Sequence, residues 1–198
     1  MCGCYRLTHH SIIGGNMKRI IIAVCLIFLA SAVTVQAQTK TVQPGPEYNV
    51  LNAWAGDWVI QGEAKNTESG PAYKVYWTLK GQRILGGFFL QIHHMWKAQG
   101  IIQNGLEITG YNPVKKTCST YVYSDDGSLT LSTTAFIDER NCRETGAVYY
   151  PNGRVQHYRN TWTFSPDGKS LSVKGENETD GKWWPQFEAK GDRSPDKF

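Results

Sequence analysis

From Gly56 onward, apolar and polar residues alternate in short runs with a period of two, and helical periodicity disappears. In 72–80, Tyr73, Val75, Trp77 and Leu79 share one side, while Lys74, Thr78 and Lys80 share the other. In 84–97 one side carries Ile84, Phe88, Leu90, Ile92, His94 and Trp96. Trp58 and Ile60 share a side in 57–66, as do Tyr158, Trp162 and Phe164 in 154–165. Between the runs stand Asp126-Gly127, Asn152-Gly153, Asp167-Gly168 and Asp180-Gly181, pairs that suit tight hairpin turns. Ser69-Gly70-Pro71 and Asn112-Pro113 mark two further turns.

The pattern predicts about ten strands, near 57–66, 72–80, 84–97, 105–112, 116–124, 128–138, 141–150, 154–165, 169–178 and 183–193. Even spacing and short connections imply an up-and-down antiparallel sheet. Closure into a barrel removes its exposed edges. Upstream, Tyr48, Leu51, Trp54 and Ala55 stand at near-helical spacing and predict one short helix over 47–55, covering one end of the barrel. The fold class is therefore all-β: a closed barrel over 51–194 behind a flexible lead-in at 38–50.

The more apolar face of each strand is expected to point inward. A barrel of this size is packed solid or holds one small ligand. The expected lumen is lined by Trp58, Trp77, Phe88, His94, Trp96 and Tyr158. Gly86 and Gly87 leave room there or permit a sharp bend.

The first 37 residues read differently. Lys18 and Arg19 precede eleven apolar residues, Ile20 to Ala30, and small residues follow. A bilayer-spanning helix needs about 20 residues. The order is that of a secretory signal starting at Met17, with cleavage expected after Ala37 and a periplasmic or secreted product without a stable membrane anchor. Cys2, Cys4 and Cys25 fall in the removed segment. Cys118 and Cys142 remain, and an even pair in an exported domain predicts one disulfide. The leader holds three of the 21 basic residues and no acid, which leaves 18 Lys and Arg against 17 Asp and Glu. A nearly neutral domain offers no electrostatic basis for binding nucleic acid.

Candidate chemistry is sparse. His93 and His94 are strand neighbours and point to opposite faces, so regular geometry does not let them share a metal. His94 falls inward, as a core histidine, a polar lumen contact or an axial haem ligand. His157 and Arg159 lie opposite the aromatic face of their strand and are expected outside. Trp183 and Trp184 should point one out and one in. No Gly-x-Ser-x-Gly elbow and no phosphate loop occurs, so no catalytic residue, cofactor or metal site is assigned.

Gly56-Asp57-Trp58, placed after a short helix and before the strands, resembles the Gly-x-Trp signature of lipocalin-like (calycin) barrels. A wider resemblance covers about 51–194. Leu51-x-x-Trp54-Ala55-Gly56-Asp57-Trp58 is followed by Gly81-Gln82-Arg83-Ile84-Leu85 and by Gly110-Tyr111-Asn112-Pro113. This order is similar to an exported bacterial family, domain of unknown function 1579. The chain departs from it by one extra residue after Gly81 and by Asn112 in place of Asp. The resemblance implies a lipocalin-like barrel and carries over no catalytic residue. Haem-binding, nitrobindin-like barrels also have ten strands and use a late-strand His, a likeness of fold only. The expected function is an exported, non-enzymatic protein that binds a small hydrophobic or amphipathic molecule. The alternatives are a solid structural or partner-binding barrel, and a haem-binding or hydrolytic barrel using His94 or His157.

Overall fold

The computed structural model describes residues 42–194; the leader assigned to 1–37 lies outside them. The strands are β1 (Gly56–Ala64), β2 (Tyr73–Ile84), β3 (Phe89–Ala98), β4 (Ile101–Asn112), β5 (Thr117–Ser124), β6 (Leu129–Phe136), β7 (Asn141–Tyr149), β8 (Val155–Phe164), β9 (Ser170–Thr179) and β10 (Lys182–Arg193). Each pairs antiparallel with the next, and β1 pairs with β10 to close the barrel. The expected strand over 84–97 breaks at its start. Leu85–Gly87 form a 3₁₀ turn in which Gly86 and Gly87 have φ of 70° and 93°, and β3 begins only at Phe89. The two glycines make a bend there.

The helix expected over 47–55 is a 3₁₀ helix, Pro46–Ala53, which begins inside the segment assigned as lead-in. Its proline stands in the first turn, where a missing N–H costs nothing. Leu51 is fully buried, and Trp54 packs against Phe136, Phe164 and Trp162 with ring centroids 6.1, 5.3 and 6.3 Å away. Those partners lie at one end of β6 and β8, so the helix closes that end. Arg193, the last residue of β10, fastens the closure. It donates to the carbonyls of Ala55 (2.6 Å) and Gly168 (2.9 Å), and more weakly to those of Asn52 and Ala53. Its guanidinium stacks 4.6 Å from the Trp58 ring centroid. Each large apolar side chain buried in this base contributes roughly 1.5–3 kcal/mol.

The structure differs from the expected disulfide: Cys118 and Cys142 are free thiols, both buried. β6 runs between their strands. Thr134 is the β6 partner of Cys118, and Phe136 that of Cys142. Alternate strands lie about 9–10 Å apart, whereas bonded cysteines bring their Cα atoms within about 7 Å. β6 and β7 stay paired up to Phe136 and Cys142, and the Ile137 N–H donates to the Asn141 carbonyl in the turn beyond. Burial pushes both thiols up to about 12, so neither is reactive at neutral pH. Alkylation without reductant should leave the native protein unlabelled and add two labels after unfolding in denaturant. A disulfide would block labelling in both states.

Candidate functional site

The barrel is not packed solid. A cavity of about 380 Å³ occupies the interior above the helix-closed end. Asp126, Ser128, Tyr150 and Gln156 line its mouth, close to the hairpin turns of the opposite end. The size lies within the range of small-molecule sites, roughly 300–1,000 Å³.

The two sides of the lumen differ in chemistry. One is aromatic. Trp77 and Trp96 are cross-strand partners with ring centroids 5.7 Å apart, and Trp77 also meets Trp162 at 5.8 Å. Phe187 extends this wall, 6.2 Å from Trp96. It reaches that position because β10 bulges between Pro185 and Phe187, and because Gly175 opposite it has no side chain. A Cβ on Gly175 would stand 2.0 Å from the Phe187 ring.

The other side is polar and acidic. Glu144 on β7 faces Asn160 on β8, and three inward side chains of β8 converge on its carboxylate. The Tyr158 hydroxyl donates to it at 2.6 Å, the Asn160 amide at 3.0 Å and the Trp162 indole at 3.1 Å. Residues 158, 160 and 162 share a face because strand side chains alternate. Burial first, and then the Glu144 charge, hold the Tyr158 phenol well above its ordinary range, so it remains a donor. Further round the same side, Thr109 and Thr120 are partners on β4 and β5 with their hydroxyls 2.8 Å apart. Thr109 donates to Glu107 at 2.9 Å. Glu107 is pushed up to about 7, chiefly by burial, then by the charge of Glu144; the Thr109 hydrogen bond opposes the shift.

Of the expected lining residues, Trp77, His94, Trp96 and Tyr158 face the cavity. Trp58 and Phe88 do not. Trp58 stands at the closed end, between the Arg193 guanidinium and Phe164, whose ring centroid is 6.3 Å away. Phe88 caps the 3₁₀ turn just before β3 and packs edge-on against Tyr48 at 5.2 Å. His94 lies over Gly105, and burial lowers its pKa, with the charge of Asp125 opposing. His157 is exposed on the outer face. Arg159 also lies outside the cavity lining, paired with Glu176 at 2.5 Å and stacked over Trp183, while Trp184 is buried.

The acidic and hydroxyl side of the lumen escaped the sequence reading. Glu107, Thr109, Thr120, Thr134 and Glu144 all line the cavity, yet none lies on a conspicuously apolar strand face. The available signal was spacing by two: Glu107 with Thr109, and Ser132 with Thr134.

These features define a calycin-like barrel: ten antiparallel strands, a short helix across one end and a lined lumen open at the other. The chain belongs to the family described as Protein of unknown function (DUF1579), whose model matches residues 43–193. Among solved structures it is similar to Rv2717c from M. tuberculosis, at a TM-score of 0.56 and 12% identity, over 76% of this chain and 98% of that one. That likeness shows the fold alone. No curated protein matches the chain.

Glu107 makes stability depend on pH. Its folded pKa of about 7 lies above the ordinary value of 4.5, so the fold disfavours its ionised form. The cost is absent below about pH 4.5, grows up to about pH 7 and is constant above that. Glu107→Gln should therefore exceed the wild type in stability at pH 8 by about 3 kcal/mol and match it near pH 4.5. Urea denaturation at both pH values measures this. An equal effect of the substitution at both would contradict it.

Proposed function

We propose that the protein is an exported binding protein whose lumen holds one small amphipathic molecule. The observation that carries this reading is the cavity of about 380 Å³, walled by Trp77, Trp96 and Phe187 on one side and by hydrogen-bonded polar groups on the other. An apolar pocket with a few placed polar groups is the usual form of a small-molecule site. The polar groups oppose collapse of the space, because filling it with apolar atoms would strip them of solvent or partners.

The neutral fluorophore N-phenyl-1-naphthylamine tests the reading. It should bind saturably and quench tryptophan emission. Thr130→Trp, which places an indole in the lumen wall from β6, should weaken binding at least tenfold while the barrel still melts cooperatively. Absence of saturable binding to folded protein, or equal binding to Thr130→Trp, would contradict the proposal.

Export is supported by the order of charged, apolar and small residues over 17–37. N-terminal sequencing of protein recovered from the periplasm or medium should begin at Gln38. A full-length, membrane-bound product would contradict it.

A further inference from the structure

Glu107, Glu144 and Asp126 line the lumen, and among the described residues no Lys or Arg lines it with them. A carboxylate, sulfonate or phosphate head would meet only negative charge there. Hydrogen-bond direction points the same way. The Thr109 hydroxyl has one proton and gives it to Glu107, so Thr120 must be the donor in the Thr109–Thr120 pair. The Tyr158 hydroxyl, the Asn160 amide and the Trp162 indole all give their protons to Glu144. These donors are thus committed within the wall, and the acceptors beside them keep free lone pairs.

One of those acceptors is without a partner. Asn160 is only 8% exposed, and its Oδ1 has no hydrogen bond. It faces the strand position of Gly175, 2.9 Å from where a Cβ would stand, beside the Phe187 ring. A buried carbonyl oxygen left unpaired costs free energy that a ligand donor would recover. The group that supplies several donors, no acceptor and a compensating charge is an ammonium. Aromatic faces suit the rest of such a molecule, and they also attract its positive end.

We propose that the occupant is an organic cation: an amine whose ammonium head sits among Glu107, Glu144 and Asn160 and whose apolar body lies against Trp77, Trp96 and Phe187. This rests on the lumen being a binding site. Mutual repulsion between the two glutamates, now unrelieved by any cation lining the cavity, would be relieved by that head.

Three probes with one body and different heads provide the test: naphthylethylamine, naphthylethanol and naphthylacetate. Titration by tryptophan fluorescence at low salt and pH 8, above the Glu107 pKa of about 7, should rank them amine, alcohol, acid. The amine should bind at least tenfold tighter than the acid. In Glu107→Gln, checked for folding by its melting curve, the amine-to-acid ratio should fall at least threefold. If the alcohol binds and the acid equals or exceeds the amine, the cation assignment fails while the lumen remains a binding site. If none of the three binds, the binding reading itself fails. An undiminished ratio in Glu107→Gln would overturn the placement of the head.

Discussion

β1 has to hydrogen-bond on both edges, and everything inside the barrel depends on that closure. Ile60 pairs with Trp77 on one side and with Gly191 on the other. The seam with β10 is tight: a Cβ on Gly62 would stand 2.1 Å from the Glu188 carbonyl oxygen. Small residues along the seam therefore permit the approach that leaves no edge strand. Arg193 makes closure and base one unit. It ends β10, covers Trp58 at the start of β1 and holds the carbonyls of the 3₁₀ helix that plugs the barrel.

The cavity follows from the number of strands. About eight strands enclose a space that side chains just fill, and diameter grows with strand number. Ten strands leave more room than the aromatics of the base can occupy. Above Trp54 and Trp162 the interior is lined but unfilled. Its two walls divide the work of keeping it so. Trp77, Trp96 and Phe187 pack against one another as rigid rings. Opposite them, the Glu144 network ties β7 to β8, and the threonine pair ties β4 to β5.

The sequence made β1–β3 and β8 legible because their inward faces are apolar, and strand parity then places Trp77, His94, Trp96 and Tyr158 correctly. The same rule misleads on β5 and β6. On β5 the aromatic Tyr121 and Tyr123 are exposed, and Thr120 and Val122 face inward. On β6 the buried positions are Ser132 and Thr134. A half-polar lumen inverts the usual relation between hydrophobicity and burial, so alternation gives the period without giving the side. Trp58 illustrates a second limit: parity fixes a face but not a height along the barrel axis, and Trp58 belongs to the closed end. Phe88 falls in the break before β3, where strand parity does not apply. The cysteines show a third. Their even number suggests pairing, yet strand order already places one strand between them, and the register shows β6 there.

The account stands on the lumen being a ligand site rather than an unfilled space. A crystal structure of the protein grown with saturating N-phenyl-1-naphthylamine tests this most directly. The account predicts density for the probe inside the barrel, its rings against Trp77, Trp96 and Phe187, with the Glu144 network intact. Probe density confined to the outer surface, or a lumen closed by collapsed side chains, would contradict it.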